Sequence, residues 1–594
     1  MTTGTVIEPY DEAIGQVDAW LAAHGDGYAK KAPNQRRTWI LKIDRSLLKN
    51  KPVRLILPPN FPAEPAGIYV DTSLFLELPH VERDGHVCLG IEPISDDYIN
   101  PISAVLRVIQ KFENEWFPQC QDASLVEQQF NDEALSYWNN FCTAQRIRIG
   151  KSLAPSRTYV EFSPISTWTE GSVASFGHNR KNQRQLVRQI VSMEKKGAFP
   201  LAKRHGWNTG SLIRGHAIFI PLPEGRSWTP KTWPTNFTAL ELLVGQLTSD
   251  GVHLTSWLQR HLQSKNPQPI KDETGRLVPE EVGIRPLLVF FVQNSVLFGY
   301  QLAPGFILKN KGIELIPISP TRIDSSWSLT RDHAPTPFAA RRQKKVLVIG
   351  CGSLGSPIVE LLARAGVGIL DIIDSENFES PNTARHVLGL SDLEQSKAKA
   401  LEARLRKEVP EISITGYDED ITSWITKPCR HDYDLIVECS GESYLRTVIA
   451  HWRAQSFGSA PVLHAWVEPF CSAAHAVLTP VSNPWPAADP ADELVNAADF
   501  SGQNIRIDLP ACGAGFHPYG AADVWQAASF VTERILATLD GRCTTETIWS
   551  WVRSKAFYDN LAVKPDLRPI VPVEGSSFDS VMLTRDYRSL IRAQ

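Results

Sequence analysis

The pattern of hydrophobic and polar positions predicts an α+β module at the N-terminal end of the chain. Apolar residues recur at helical spacing over 11–23 and again over 102–117, which predicts a helix near each end of the module. Between these helices lie short strand-like runs at 37–43, 53–57 and 67–70. We therefore assign residues 1–150 to a first domain.

The middle of the chain, residues 151–335, is rich in tryptophan and proline and contains more strand-like runs. These runs lie at 217–221, 287–292 and 296–301. Because no motif with recognisable chemistry occurs among them, we interpret this part as a linker or docking domain. The prolines and the basic end of segment 331–345 predict a boundary before the next domain.

After this boundary the pattern changes to strand, glycine turn, helix and strand. The continuous apolar run 346–349 is typical of a strand buried in a parallel sheet. Further predicted elements are a helix at 358–365, a strand at 369–373, a helix at 394–407 and a strand at 435–438. Residues 336–594 are therefore predicted to form a Rossmann-like domain. The whole chain is then a multidomain α/β protein with an N-terminal α+β module and a mixed middle domain.

The composition of the chain argues against some classes of function. The 594 residues are 43% hydrophobic and 21% charged, with a formal net charge of -4, as in ordinary globular proteins. This balance argues against a direct nucleic-acid partner. The N-terminus lacks the pattern of a secretory signal, and the apolar run 287–292 is too short to cross a bilayer. We expect a cytoplasmic protein without a membrane partner.

The nine cysteines are scattered, with no closely spaced pairs. Their positions are 88, 120, 142, 351, 429, 439, 471, 512 and 543. This spacing is not typical of a disulfide framework or of a zinc site with paired cysteines. Cysteines that matter for function are therefore expected to act singly, as nucleophiles.

A glycine turn lies between the first strand and the first helix of the C-terminal domain. Gly350, Gly352 and Gly355 there allow the backbone to approach a phosphate at the N-terminus of the helix. Dinucleotide oxidoreductases share this turn, so a nicotinamide or flavin enzyme stays open at this point. Asp374 follows the second strand, where a carboxylate can accept hydrogen bonds from ribose hydroxyls; a simple strand-end carboxylate is the alternative.

Three polar residues after Asp374 separate the two classes of enzyme. Asn382, Arg385 and Lys397 supply an amide, a guanidinium and an ammonium group. A dehydrogenase has no need of these groups here. Adenylyl transfer must hold a triphosphate and stabilise the charge that develops at its α-phosphate, so the three residues favour that reaction.

Residues from about 344 to 540 resemble the ThiF-type adenylating fold of ubiquitin-activating enzymes and of activators of sulfur-carrier proteins. The resemblance is carried, in order, by Asp371-Ile372-Ile373-Asp374, Glu376-Asn377, Asn382, Arg385 and Lys397. It implies that ATP is the cofactor, that Asp374 holds the ribose, and that the three later residues hold the phosphates. It also implies a homodimer, in which Arg331 reaches the nucleotide of the second copy.

The metal site is the point where the chain departs from this family. Magnesium is implied by the triphosphate. Where the family has an aspartate after the later strand, the chain has Gly441, within Glu438-Cys439-Ser440-Gly441-Glu442. The metal ligand is therefore unknown, and Glu442 is the nearest candidate.

Cys512 lies in an irregular stretch before a helix-like run at 523–536. A cysteine on a loop near a helix start can be accessible and have its thiolate stabilised, as attack on an acyl-adenylate requires. By the resemblance, this region is the crossover loop with the thioester-forming cysteine. A buried small side chain is the alternative, and Cys471 and Cys543 are competing thiols.

The N-terminal module contains a second candidate nucleophile, Cys88. The runs 55–64, 78–81 and 84–90 resemble the core of a ubiquitin-conjugating domain, in which the cysteine after such a turn accepts a thioester. The His-Pro-Asn signature of that family is not intact, because the chain reads Pro79-His80-Val81. Whether His80 or His86 stabilises the oxyanion stays open.

This combination of domains resembles the bacterial ubiquitin-transferase-like fusion proteins associated with CD-NTases in CBASS antiphage defence. The resemblance implies ATP-dependent activation of the C-terminal glycine of a partner CD-NTase, relay through Cys512 and then Cys88, and ligation to a target amine. The alternatives are a nicotinamide-dependent oxidoreductase and a non-catalytic scaffold with a degenerate conjugating module. A third alternative is the activation of a sulfur-carrier protein. The N-terminal module and the lack of paired cysteines argue against it.

Overall fold

A computed structural model describes most of the chain, and its contacts divide it into two compact units. The first unit comprises residues 1–203 and 207–322, and the second comprises residues 204–206 and 323–594. The described residues are 10–25, 29–43, 46–149, 157–180, 183–248, 252–262, 270–271, 277–278, 285–304, 312–330, 335–427, 432–486, 488–508 and 515–591. The division into three domains at 150/151 and 335/336 stays a prediction.

The first unit begins with a helix and a four-stranded antiparallel meander. These elements are α1 (Asp11–His24), β1 (Ala29–Lys31), β2 (Thr38–Leu41), β3 (Arg54–Ile56) and β4 (Gly67–Tyr69). Helices α2 (Pro101–Lys111), α3 (Phe117–Gln121), α4 (Ala123–Asp132) and α5 (Ala134–Ile149) follow, with a π-helical turn Phe112–Trp116 between α2 and α3. The predicted helices and strands of this module are confirmed, and each strand is shorter than predicted.

Helix α2 shows why these segments fold together. Pro101 occupies its first turn, where a missing N–H costs nothing. Val105, Val108 and Ile109 recur at helical spacing and are buried, so they form one apolar face. That face belongs to the same core as Trp39 of β2, and the helix therefore covers the meander.

The rest of the first unit is built on an eight-stranded sheet. Its strand order is β13-β12-β11-β8-β6-β7-β5-β14. The strands of this region are β5 (Thr158–Glu161), β6 (Thr169–Arg180), β7 (Gln183–Ser192), β8 (Ser211–Pro221), β9 (Ile270–Lys271), β10 (Leu277–Val278), β11 (Leu287–Gln293), β12 (Val296–Pro304), β13 (Ile313–Ile318) and β14 (Pro320–Arg322). The helices are α6 (Ala198–Arg204), α7 (Phe237–Leu247) and α8 (Leu254–Leu262). The three strands predicted in this region are confirmed as parts of β8, β11 and β12.

The second unit contains another eight-stranded sheet, of order β17-β16-β15-β18-β19-β20-β24-β26. Its first five strands are parallel and its last three are antiparallel to their neighbours. The strands are β15 (Lys345–Ile349), β16 (Ile369–Ile373), β17 (Ser413–Tyr417), β18 (Leu435–Glu438), β19 (Val462–Val467), β20 (Ala473–Thr479), β24 (Thr547–Arg553) and β26 (Ser580–Asp586). Two short ribbons pair β21 (Ala498–Asp499) with β25 (Asp566–Leu567) and β22 (Ile507–Asp508) with β23 (Gly515–Phe516).

The described part of the second unit also contains helices. They are α9 (Ser325–Ser328), α10 (Pro335–Arg341), α11 (Gly355–Arg364), α12 (Lys397–Glu408), α13 (Ile421–Ile425), α14 (Ser443–Ser456), α15 (Ala521–Leu539), α16 (Lys555–Asp559) and α17 (Tyr587–Ile591). The strands predicted at 369–373 and 435–438 are confirmed at both ends. Among the described residues, no helix combines the length and the apolar character that crossing a membrane would require.

The order of the strands fixes where a ligand can bind to this unit. The chain runs outward from β15 to β16 and β17 on one side and to β18 and β19 on the other. In open α/β sheets, ligands bind outside the carboxyl ends of the strands where the strand order reverses in this way. The segments that follow β15, β16 and β18 meet at this edge.

Candidate functional site

The glycine turn after β15 is held in a conformation that a side chain would disturb. Gly350 has φ +88°, in the left-handed region that favours glycine. A Cβ on Gly355 would lie 1.9 Å from the carbonyl oxygen of Gly350, which is closer than atoms can approach. A Cβ on Gly352 would meet no atom within 4 Å, so the backbone of Gly352 borders open space. The turn therefore has the form of a cradle open to a ligand.

Asp374 lies beside this cradle, at the end of β16. Its Oδ2 accepts a hydrogen bond from the backbone N–H of Cys351 at 2.7 Å, and its Oδ1 accepts one from the N–H of Glu376 at 2.8 Å. Burial raises the pKa of Asp374, although these bonds and the Lys397 ammonium oppose that rise. Each carboxylate oxygen keeps a lone pair that ribose hydroxyls can use.

Lys397 is the first residue of α12 and is only 5% exposed. Its ammonium group forms an ion pair with the carboxylate of Glu376, and its backbone N–H donates to the carbonyl oxygen of Glu376 at 3.0 Å. A buried cation next to an open cradle suits a polyanionic ligand, because little water competes for it. The structure thus brings Lys397 and Asp374 together, as the sequence predicts.

Arg385 is connected to the glycine turn through its contacts with His517 and Tyr519. Its Nη1 donates to the carbonyl oxygen of His517 at 2.8 Å, and its guanidinium lies 4.5 Å from the ring centroid of Tyr519. The Tyr519 hydroxyl is 2.7 Å from Oγ of Ser353, in the glycine turn. Tyr519 and Ser353 were not predicted, because no local pattern marks a contact between residues so far apart in the chain.

Asn382 lies one turn before Arg385, in the 3-10 helix Ser380–Ala384. Its Oδ1 accepts a hydrogen bond from the N–H of Glu379 at 2.9 Å, which leaves the two amide N–H donors of Asn382 for other partners. An amide donor, a guanidinium and an ammonium follow one another along a short stretch of chain. These residues fit the phosphates of a nucleotide better than they fit an uncharged ligand.

His386 is a further residue of this site that sequence reasoning missed. Its Nδ1 accepts a hydrogen bond from the N–H of Leu388 at 3.0 Å, so Nε2 carries the proton and donates to the carbonyl oxygen of Cys351 at 2.5 Å. Burial lowers the pKa of His386 to about 4, so the ring is neutral at physiological pH. The ring therefore stabilises the glycine turn through its hydrogen bond to the Cys351 carbonyl group.

The end of β18 and the segment after it contribute two carboxylates in different surroundings. Glu438 is buried and accepts hydrogen bonds from the N–H and hydroxyl of Ser440, and it faces Nδ1 of His464 at 3.2 Å. Burial would raise the pKa of Glu438, but His464 and Ser440 hold it below its usual value. Glu442, by contrast, is exposed and precedes α14.

The metal ligand stays open. Among the described residues, no three His, Cys, Asp or Glu side chains are grouped as a metal site. Glu438 is committed to its protein partners, as its hydrogen bonds show. Glu442 remains the candidate closest to the end of β18.

Two predicted residues, Cys512 and Arg331, lie outside the described residues. Among the competing thiols, Cys471 is buried, and burial raises its pKa to about 12, which disfavours the thiolate. Cys543 is partly exposed. The role of Cys512 stays a prediction.

The first unit contains a separate cavity of about 270 Å³ at Cys88. The side chains that matter for its chemistry are those of His80, Cys88, Glu115, Glu133, Tyr137 and Asn140. Cys88 is exposed, and its backbone N–H donates to the carbonyl oxygen of His80 at 2.8 Å. The thiol is thus accessible and lies among polar groups.

The two histidines near Cys88 differ in their surroundings. His80 lines the cavity, and its Nδ1 lies 3.6 Å from Oε2 of Glu133. His86 is not among the lining residues; its ring packs 5.1 Å from that of Tyr69, and its Nδ1 lies 3.7 Å from Oε2 of Glu82. Of the two candidates, His80 is therefore the one that shares a cavity with Cys88.

Comparison with known proteins relates both units to one family of enzymes. Residues 338–491 match the ThiF family. The ATP-dependent ubiquitin transferase-like protein Cap2 of Pseudomonas aeruginosa is 28% identical over 565 residues, which span 89% of this chain and 90% of that protein. The chain is a relative of the ubiquitin transferase-like proteins. The similarity includes the N-terminal module and the middle region as well as the ThiF part.

Other known proteins match shorter parts of the chain. The mouse adenylyltransferase and sulfurtransferase MOCS3 is 36% identical over 95 residues, which are 16% of this chain and 21% of that protein. The crystal structure of Escherichia coli MccB with ATP covers 39% of this chain and 67% of its own, at 16% identity and a TM-score of 0.28. The predictions of a ubiquitin transferase-like enzyme and of a multidomain α/β fold with a ThiF-type domain are confirmed. The roles of individual residues stay predictions.

Proposed function

We propose that this ubiquitin transferase-like chain uses ATP to activate the C-terminal glycine of a protein substrate and transfers it, through Cys512 and then Cys88, to an amine. The substrate we propose is a CD-NTase, and the setting is antiphage defence. Both follow from the family that the sequence resembles. We also propose that the enzyme is a cytoplasmic homodimer that pairs through its ThiF-type domain.

In the first step, the glycine turn and its neighbours bind ATP. The carboxylate of Asp374 accepts hydrogen bonds from the ribose, and Lys397, Arg385 and Asn382 hold the phosphates. The two cations stabilise the charge that develops when a substrate carboxylate oxygen bonds to the α-phosphorus and pyrophosphate leaves. Magnesium, when bound, would shield the phosphates, and Glu442 would supply a carboxylate to it.

The acyl group then moves by successive nucleophilic substitutions. The Cys512 thiolate attacks the acyl carbon and AMP leaves; the Cys88 thiolate attacks the resulting thioester and Cys512 leaves. Finally an amine attacks the Cys88 thioester, the C–N bond forms and the C–S bond breaks. The ammonium proton must be removed before this attack, and Glu115 and Glu133 in the cavity are suitable acceptors.

One observation supports the proposed transfer of the acyl group through cysteines. Among the described cysteines, Cys88 is the exposed one, whereas the others are buried or, for Cys543, partly exposed. An exposed thiol is open to oxidation, so its presence in a polar cavity favours a functional role. The thiol lies in a chain that also has a nucleotide-type cradle, which supports a transfer of activated acyl groups.

Mass spectrometry of proteins trapped on the chain tests this function. The enzyme is incubated with ATP and a CD-NTase, quenched at low pH, and digested to locate adducts that a reducing agent releases. We expect a thioester between the C-terminal glycine of the CD-NTase and a cysteine of the chain. A substrate that lacks its C-terminal glycine is the matched control. ATP-dependent pyrophosphate exchange without any thioester would limit the function to adenylation.

A further inference from the structure

Helix α5 belongs to two parts of the first unit at once. Tyr137 and Asn140 line the Cys88 cavity, whereas Trp138 is 0% exposed and its ring contacts Phe298 and Tyr300 of the eight-stranded sheet of the first unit, which we call the middle sheet. Neighbouring residues of a helix point in directions about 100° apart, so consecutive side chains can serve different surroundings. One rigid element thus connects the cavity to the sheet.

Trp138 fixes α5 to the middle sheet by polar and aromatic contacts. Its indole Nε1–H donates to the carbonyl oxygen of Ile318, the last residue of β13, at 3.0 Å. Its ring makes edge-to-face contacts with Trp233 and with Tyr300 of β12, at centroid distances of 5.0 and 5.1 Å. Such contacts are directional, so they define the rotation of α5 as well as its position.

Tyr137 connects the same helix to Cys88 through two hydrogen bonds in series. The backbone N–H of His80 donates to the hydroxyl of Tyr137 at 2.9 Å, and the carbonyl oxygen of His80 accepts from the N–H of Cys88 at 2.8 Å. His80 has φ +60°, a conformation that residues other than glycine adopt only when their surroundings hold them. The Tyr137 hydroxyl is one of the groups that hold it.

The Tyr137 side chain is suited to this task. It is 4% exposed, and its ring packs edge-to-face on Phe130 at 4.7 Å, so the hydroxyl has a defined position. Burial raises the pKa of Tyr137, so the hydroxyl stays protonated over the working range of the enzyme. A second tether, from Nε1 of Trp116 to the carbonyl oxygen of Pro79 at 3.0 Å, fixes the residue before His80.

We propose that Tyr137 is a positioning residue for Cys88, and that through α5 the middle sheet holds the Cys88 loop in the geometry of acyl transfer. This inference rests on the proposed function and gives the middle of the chain a role in it. The middle sheet then serves as the support of the second acyl-transfer site, and its role exceeds that of a linker.

The full-length Tyr137→Phe variant tests the positioning role, because it keeps the ring and removes the hydrogen-bond acceptor. The first measurement is the rate of Cys88 alkylation by iodoacetamide across pH, followed by peptide mass spectrometry. The second is the discharge of a preformed Cys88 thioester to lysine. We expect both rates to fall about tenfold, as the loss of one hydrogen bond implies, with a shifted pH profile of alkylation.

Tyr300→Phe is the matched control. Its hydroxyl donates to the carbonyl oxygen of Pro234 at 2.9 Å, and the phenylalanine ring of the variant keeps the contact with Trp138. It should lower the melting temperature about as much as Tyr137→Phe and leave both Cys88 rates unchanged. Equal losses in the two variants would reduce the effect to general stability and overturn the proposal.

Trp138→Phe tests the link to the sheet, since it removes the bond to Ile318 and keeps an aromatic ring. It should slow Cys88 alkylation in the same direction as Tyr137→Phe. Wild-type alkylation in Trp138→Phe would overturn the role of the sheet, and wild-type alkylation in Tyr137→Phe would overturn the positioning role. If the wild-type enzyme forms no thioester on Cys88, the proposed function fails, while the alkylation rates still decide whether Tyr137 positions the thiol.

Discussion

Arg385 donates a hydrogen bond to the carbonyl oxygen of His517 at 2.8 Å, which joins a predicted phosphate ligand to the segment that follows Cys512. His517 precedes α15, and Cys512 lies five residues before it in the sequence. Tyr519, in the same segment, contacts both the Arg385 guanidinium and Ser353 of the glycine turn. The glycine turn, Arg385 and the residues 517–519 therefore share one set of contacts.

Replacing Tyr519 tests whether this contact orients Arg385. We expect Tyr519→Ala to slow ATP-pyrophosphate exchange about tenfold, because a cation–π contact of the order of 1 kcal/mol and its orienting effect are lost. Tyr519→Phe keeps the ring and should stay within about threefold of wild type. The rate of exchange at saturating ATP is the measurement. Identical losses in the two variants would assign the effect to the hydroxyl and to Ser353.

Lys397→Ala should abolish substrate-dependent pyrophosphate exchange. Loss of one contact to a developing transition-state charge typically lowers the rate about a hundredfold or more. The same result is expected for Asp374→Ala and Arg385→Ala. Lys399→Ala is the control, because Lys399 lies on the same turn of α12 with its side chain 56% exposed and paired with Glu402. Wild-type exchange in all three site variants would remove the adenylation proposal.

The parts of the fold that could be predicted are those with a local signal. The bounds of β16 and β18 match the prediction, since a strand buried on both faces appears as a mostly apolar run, with Asp371 inside β16 and Glu438 at the end of β18 as the polar exceptions. Helix α12 begins at Lys397, three residues later than predicted. Glu394 has φ +65°, which no helix accommodates, and the Ser396 hydroxyl caps the helix by accepting from the N–H of Lys399 at 3.5 Å.

The rest of the site depends on contacts between distant residues. Tyr137 meets His80 across 57 positions, and Tyr519 meets Ser353 across 166, so no spacing rule could have paired them. The order of the strands in the middle sheet could not be predicted for the same reason. For example, β5 pairs with β14, which lies much later in the sequence. Asp374 and Lys397, which the structure brings together, could be proposed from the sequence because both follow the end of β16 along the chain.

His386 should make the second unit less stable as the pH falls. Burial lowers its pKa to about 4; the hydrogen bond to the Cys351 carbonyl and the Asp392 carboxylate oppose this shift, and the cations Lys397 and Arg404 add to it. An unfolded histidine titrates near 6.5. The unfolded state then binds more protons between these values, so the stabilising effect of the neutral ring is complete above about pH 6.5 and is lost towards pH 4. The full effect is of the order of 3 kcal/mol.

Urea unfolding at pH 7 and pH 4.5 checks this prediction. The His386→Gln variant should lose less free energy of unfolding between the two pH values than the wild type loses. His451→Gln is the control, because His451 is exposed on α14. An unchanged pH dependence in His386→Gln would show that other groups dominate acid destabilisation.

The two cysteines can be separated because the proposed steps occur in a fixed order: adenylate, thioester on Cys512, thioester on Cys88, amide. Adenylate formation needs no thiol, so Cys512→Ala should keep pyrophosphate exchange and form no thioester. Cys88→Ala should accumulate a reducible adduct on Cys512 and yield no amide product, because the second acceptor is missing. Non-reducing gels with and without a thiol reagent, read by mass spectrometry, distinguish these species.

Cys543→Ala is the control for both variants, since Cys543 is a partly exposed thiol of the second unit. It should load and transfer the substrate as the wild type does. If Cys88→Ala ligates the substrate normally, the N-terminal module binds a partner without taking part in the relay. If Cys512→Ala still loads Cys88, either Cys471 or Cys543 replaces Cys512 or the adenylate reacts with Cys88 directly. A variant that lacks all three of these cysteines decides between the routes, because loading that persists in it does not pass through any of them.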